Sequence, residues 1–306
     1  MRKHNKLVTR WQNPDLAMFH YHFPGSLDWG TFQGNTSPFG QIDERWDFRG
    51  FDFRQQRFLS KCNFENVDFS FCDFTHCRFE ECKLTNTVFE KAVFYSFSEH
   101  GCVFDHCKFF KSSFHHCYLG YDGSKYVDCV YEKCQFRRTS YMRAEFTKCQ
   151  FHNNNLNGTE FGSSSLADCV FTGKVKNVWF RGGYIDPSDE NKFGKAKPNP
   201  MTVSFEDAEL LEMTYTMECD LSKAVLPQNG RYYKFEHWKE RLEHVASIVS
   251  TWPESEERKK ILFYVEVYSH HAVSQSWMIL NLDEYIKLMG EDAAMKYIEL
   301  LSSYKI

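Results

Sequence analysis

The chain has 306 residues, of which 42% are hydrophobic and 17% aromatic, and its net charge is -4. That length can bury a large core in one or two domains, and so small a charge argues against a nucleic-acid or membrane-surface partner. No stretch approaches the roughly 18 apolar residues of a transmembrane helix, and the start, MRKHNKLVTRWQNPDL, has neither an apolar run nor a small-residue cleavage site, so a cytoplasmic protein is expected.

Residues 1–45 carry Trp11, Phe19, Tyr21, Phe23, Trp29 and Phe32 without a regular period. They read as a cap over the N-terminal end of the next domain. His20 and His22 in HYH could share a strand face, but two imidazoles without a third ligand do not make a metal site.

From about residue 46 a different order takes over. In CNFENVDFSFCDFTHCRFEECKL a large residue returns every five positions: Phe64, Phe69, Phe74, Phe79 and Leu84. Phe48, Phe53 and Phe58 precede them with one extra residue. The series continues through Phe89, Phe94, Phe104, Phe109, Phe114 and Leu119, slips by two at GYDG, and resumes from Tyr126 to Phe171. Weaker units centre on Val175, Phe180 and Ile185, and later on Phe205, Leu210, Tyr215, Leu221 and Leu226. Five is neither the helical nor the strand period. About thirty units in one register require a repeat architecture. A small or β-branched residue sits two places before each centre, so two residues of every five face inward and the chain turns a corner after each unit.

The twelve cysteines all occupy that small inward position, for example Cys72, Cys77, Cys82 and Cys107. They read as small buried hydrophobes in a reducing compartment. Paired Cys-x-x-Cys ligand spacing is absent, and neither a metal nor a cofactor is expected.

Units such as VDFSF, CDFTH and NNLNG resemble the pentapeptide-repeat family, and the resemblance covers roughly residues 46–227. It implies a mainly β fold, a right-handed four-sided parallel β-helix of about seven or eight coils. At ~4.8 Å per coil the rod would be about 35 Å long.

Breaks in the register mark candidate sites, because loops carry function more often than scaffolds do. Glu99 stands where a centre is due and Phe97 takes the small position; a carboxylate on the axis would be costly, so Glu99 is expected to turn outward. GYDGS adds a protruding turn around Asp122. The polar segment 186–202, with Asp189 and Glu190, reads as a loop. Phe71, Tyr95, Phe110 and Tyr118 are candidate exposed aromatic anchors. His76, His106, His115, His116 and His152 fall outward, and His76 and His116 would lie two coils apart, too far to share a metal.

Residues 228–306 are of another kind. RYYKFEHWKERLEHVASIVSTW predicts an amphipathic helix with Phe235, Trp238, Leu242, Val245 and Val249 on one stripe. KKILFYVEVYS predicts a strand, HHAVSQ a turn and SWMILNL a second strand. Asn281 with Glu284 predicts a cap for LDEYIKLM, ending at Gly290, before a final helix in EDAAMKYIELLSSY. The module is a small α+β unit, or a helical one if KKILFYVEVYS is helical.

No phosphate loop, nucleophile elbow or paired carboxylates stand out, so the chain is not expected to be an enzyme. The expected role is a protein-interaction scaffold whose partner is unknown, with a homodimer contact on the C-terminal module. The resemblance implies an alternative, a DNA mimic that binds type II topoisomerase. Asp68, Asp73, Glu80 and Glu81 would form its acidic face. Yet residues 47–171 hold 16 acidic and 15 basic groups, far from the charge density of a duplex.

Overall fold

The computed structural model describes residues 2–16, 37–55, 58–184, 186–196 and 201–305. The expectations for Phe19, Tyr21, Phe23, Trp29, Phe32, the HYH histidines and Ile185 lie outside them. The chain forms a parallel β-solenoid of about seven turns with helices toward the C-terminus. Along one face Phe58, Arg78, Ser98, Tyr118, Ser140, Glu160, Trp179 and Thr214 pair in succession. Up to Tyr118 each step is twenty residues, four repeats to a coil.

Three faces carry continuous ladders and the fourth carries single bridges, Asp73↔Val93↔Ser113↔Gln135↔Asn155. We call the ladder faces A (with Val88–Glu90), C (with Arg78–Glu80) and D (with Lys83–Thr85). The chain runs D, A, fourth, C and back to D. The corners explain the period. Two residues after each centre the backbone turns left-handed: Asn66, Phe71, His76, Glu81, Asn86 and Lys91 have φ between 49° and 63°. Such backbone costs on the order of 1 kcal/mol or more per residue where no glycine relieves it. The ladder holds it in place, since corner amides also bond the next coil, as Glu81 N to His100 O at 2.8 Å.

Inside, centres stack coil on coil. Phe53, Phe74, Phe94, Phe114 and Phe136 form one column with centroids 4.4–4.9 Å apart; Phe89, Phe109, Tyr131, Phe151 and Phe171 form another. Each such pair adds roughly 0.5–1.5 kcal/mol beyond burial. The twelve cysteines are free and buried, and several thiols donate to a carbonyl of the coil below, as Cys107 Sγ to Leu84 O at 3.4 Å. One centre is corrected: Leu59, not Phe58, is fully buried and pairs with Phe79.

The described N-terminal residues close the first coil. Trp11 packs on Phe48 and Phe51 and its indole N–H donates to Arg49 O at 2.9 Å. Arg10 and Arg49 both clamp the buried Asp47 carboxylate. Burial alone would raise that pKa, but the two guanidinium groups hold it well below the usual carboxylate range.

The C-terminal module departs from expectation in one element. KKILFYVEVYS is not a strand; it lies within the helix Glu256–Ala272, whose N-cap Ser255 accepts from Arg258 N. Ile261, Val265 and Ala272 recur with helical spacing on its buried side. β-Branched and aromatic composition suggests a strand, and packing against the helices Trp238–Val249 and Glu291–Ser303 overrides it. The strand Met278–Asn281 pairs instead with Tyr232–Phe235, cut from the start of the expected first helix. Asn281 caps the helix Leu282–Met289 through Asp283 N at 3.0 Å, while Glu284 accepts from Glu212 N at 2.6 Å.

Candidate interaction surface

Glu99 is where the structure overturns the sequence most clearly. Its side chain is not turned outward: it is fully buried, on the axis, in register with Phe79. The donors that make this tolerable come from one coil above. Gly120 N–H, the Ser124 hydroxyl and the Tyr126 hydroxyl all donate to its carboxylate. Desolvation pushes the pKa up and the three donors pull it back, leaving it at about 7. A charge so placed is supported by hydrogen bonds, as a buried carboxylate must be.

The donors exist because of the register slip. The ladder of face C shifts register between the pairs Tyr118↔Ser98 and Tyr121↔His100, and the turn before Lys125, which pairs with Val103, completes the two-residue slip; we call Gly120–Ser124 the bulge. Gly120 has φ +83°, and a Cβ there would sit 2.7 Å from Ala144 Cβ. Only glycine fits that approach. Within the bulge, the Asp122 carboxylate pairs with His100 Nδ1 of the coil below at 3.2 Å, and the Tyr121 ring lies on the His100 imidazole at 5.2 Å.

The polar loop comes back to the same corner. After Phe180 the chain leaves the solenoid and forms the short helix Asp189–Phe193. Phe193 sits under the Arg143 guanidinium at 4.1 Å and beside Tyr184 at 6.4 Å. Arg143 also reaches Asp122 at 3.9 Å, and burial, with the Asp189 carboxylate second, raises the Tyr121 pKa. A cleft of about 240 Å³ lies between loop and coil, lined by Gly123, Arg143, Glu145, Ser163, Phe193 and Lys195. Of the candidate residues, the structure thus gathers Asp122, Asp189 and Tyr118 near the corner between faces C and D. Glu190 is exposed on the same short helix. Glu99 lies beneath as an anchor rather than a contact. Sequence reasoning missed Tyr121, Arg143 and Phe193, which follow ordinary repeat or loop patterns; only the adjoining slip marked the place.

The other candidates do not converge. Asp68 is on face A, Asp73 on the fourth face, Glu80 on face C and Glu81 at the next corner. Each has a cation beside it: Arg49 at 3.9 Å, Arg54 at 3.4 Å, Arg78 at 3.3 Å and Lys61 at 3.7 Å respectively. Among the aromatics Tyr118 and Tyr95 are exposed, at 59% and 44%. Phe71 and Phe110 are half-buried rather than exposed, with the ammonium groups of Lys91 and Lys111 over their rings at 5.1 and 4.6 Å.

At the far end the C-terminal module lies on the last coils. Asn281 Nδ2 donates to Leu210 O, Gln275 brackets the backbone of Cys219, and Lys234 Nζ reaches the carbonyls of Ser222 and Ala224. These contacts satisfy a sheet end that would otherwise be open. Among the described residues no group of three His, Cys, Asp or Glu side chains could hold a metal ion, and no helix is long and apolar enough to cross a membrane.

Residues 59–96 match the family model described as pentapeptide repeats (8 copies). Among solved structures the chain is similar to HetL, a pentapeptide repeat protein involved in heterocyst differentiation regulation from the cyanobacterium Nostoc sp. strain PCC 7120, at 12% identity over 60% of this chain and 87% of that one, with a TM-score of 0.29. It is similar to full-length QnrB1, a plasmid-mediated fluoroquinolone resistance protein, at 14% identity over 55% and 91%, with a TM-score of 0.20. It is also similar to the pentapeptide repeat protein Rfr23 from the cyanobacterium Cyanothece 51142, at 9% identity over 55% and 89%, with a TM-score of 0.19. No curated protein matches the chain.

Proposed function

We propose that this chain, a pentapeptide-repeat protein, acts by holding a protein partner on a rigid solenoid, at the corner where the bulge Gly120–Ser124 meets the loop around Phe193, and not by catalysis. The observation that carries this reading is the convergence of two separate departures from the repeat on one corner, tied to the core through Glu99. A bulge that re-aims side chains is a device proteins place at functional sites. The corner offers what a contact needs: an exposed tyrosine, charges of both signs, and a loop whose single aromatic is pinned by Arg143.

A DNA-mimic role on type II topoisomerase gains nothing from the charge pattern. Asp68, Asp73, Glu80 and Glu81 face different ways and each is neutralised by a neighbour. A homodimer contact on the C-terminal module would use its outer side, where Phe263 and Leu288 are exposed; sedimentation of a Phe263→Glu variant tests it.

The test of the corner is site-specific photocross-linking in the native host, with the photoreactive residue at Tyr118 or Lys195 and, as a control, at the exposed Glu65 on face D, three rungs below. Capture of one protein at the first two positions and not at the third supports the reading; equal capture everywhere, or none, removes it. Supercoiling by purified gyrase and topoisomerase IV, with and without a quinolone, tests the other: inhibition or drug protection at low protein would restore it.

A further inference from the structure

The fourth face carries a pattern that the corner site does not use. Its units between corners read KAVFYS (91–96), KSSFHH (111–116), KCQFRR (133–138) and NNNLNG (153–158), without one Asp or Glu. The bridges Val93↔Ser113↔Gln135↔Asn155 stack them coil on coil. Lys91, Lys111 and Lys133 therefore occupy one corner, with φ of 53°, 54° and 55°, one rung or ~4.8 Å apart. Lys91 and Lys133 have Glu90 and Glu132 beside them on face A, at 2.8 and 2.9 Å. Lys111, Arg137 and Arg138 are exposed and have no ion-pair partner among the described residues. His115 and His116 lie between them. Burial, His116 and Arg137 together depress the His115 pKa, as a positive surround would.

Like charges on adjacent rungs repel, so this face is held together against its own electrostatics and gains from an anion laid on it. Arg137 and Arg138 stand at the opposite edge of the face, one rung above Lys111, so the three unpaired cations span the face rather than follow one column. An acidic segment lying across the face meets all three by charge complementarity. Tyr95, 44% exposed and edge-on between His76 and His116 at 5.7 and 5.8 Å, supplies an apolar contact beside the charges. Tyr95 is the one exposed Phe, Tyr or Trp ring of this face among the described residues, and with a net charge of -4 on the chain the face lacks the stacking platform and long-range attraction of a nucleic-acid binder.

We propose that the fourth face over residues 91–158 docks an acidic segment of a protein partner, whose carboxylates sit on Lys111, Arg137 and Arg138 and whose apolar side chains meet Tyr95. The fourth face lies opposite face D and meets face C at the corners His116 and Arg138.

The test uses the full chain and fluorescence anisotropy with a labelled peptide of Glu and apolar residues. The same peptide with Gln, and single-stranded and duplex oligonucleotides, serve as comparisons. The expected result is binding of the Glu peptide that weakens with salt, is at least about tenfold weaker for the Gln peptide, and is at least about tenfold weaker for Lys111→Glu/Arg137→Glu. The control Lys83→Glu/Lys148→Glu, two exposed reversals away from this face, should bind as before; circular dichroism checks that both variants fold. No binding of the Glu peptide, an equal loss in both double variants, or tighter binding of an oligonucleotide that the Lys111/Arg137 reversal abolishes would each overturn the proposal. The corner site is tested apart from these at Lys195, which lies on the loop and not on the fourth face.

Discussion

Ser124, the last residue of the bulge, donates its hydroxyl to Glu99, a carboxylate on the axis of the coil below. Two departures from the five-residue register are therefore halves of one structure. Without the bulge Glu99 would be an unpartnered buried charge, and without Glu99 the bulge would lose the acceptor for Gly120 N–H and Tyr126 Oη.

This pair makes stability depend on pH. The Glu99 pKa is raised to about 7 in the fold against an ordinary 4.5, so between those values the folded chain holds a proton that the unfolded chain releases. The stabilisation, on the order of 3 kcal/mol, is present below pH 4.5 and lost as pH rises through 7. Urea unfolding of the wild type should show a lower midpoint at pH 8 than at pH 5.5. Glu99→Gln should show a markedly smaller difference, and an identical one would remove this account of the carboxyl.

Gly120 and Gly123 both have positive φ, but only Gly120 is crowded. Gly123→Ala should cost about 1 kcal/mol from backbone strain alone. Gly120→Ala should cost several times more, because its Cβ would overlap Ala144 and displace the donor to Glu99. Thermal unfolding of the two variants compares them, and equal losses would contradict the crowding.

Burial pushes the thiols of Cys77, Cys117 and Cys134 up to about 12. Reaction with a thiol reagent at pH 8 should modify less than one cysteine per chain in the native state and all twelve in denaturant. Several fast thiols before unfolding would mean that the column is open. In the same core Phe109→Ala, which removes a ring stacked between Phe89 and Tyr131, should cost about 3–5 kcal/mol.

At the other end Asp47 is held ionised between Arg10 and Arg49, so its contribution is present above pH 4 and lost on acidification. Arg10→Met leaves Trp11 to hold residues 2–16 without the clamp. Limited proteolysis should then cut before Phe39 at a rate the wild type does not show; an unchanged pattern would assign the docking to Trp11 alone.

Phe193→Ala should free the loop from Arg143 while leaving the solenoid intact. Hydrogen exchange should rise in residues 186–196 and not in the ladder of face C. A rise across Ser140–Met142 as well would show that the loop supports the coil rather than resting on it.

The repeat is legible because each coil asks the same thing of its residues: a ring on the axis, a small group below the turn, a polar corner. Phe74 or Cys107 can be placed from the letters alone, since their neighbours are other copies of the same unit. That local rule carries the solenoid class, the burial of the cysteines, and the sites where the register slips. It fails where partners come from outside the repeat. Glu99 reads as outward because its donors lie 21 to 27 residues further on, within a turn whose sequence shows only extra residues. KKILFYVEVYS reads as a strand because its composition fits one, whereas the helices on either side decide its form. Even the acidic residues close in sequence, Asp68 to Glu81, end on different faces, because every five residues the chain turns a corner. Position along the repeat is a one-dimensional property that sequence fixes; what meets across a coil, a bulge or the end of the rod is decided only when the chain is folded.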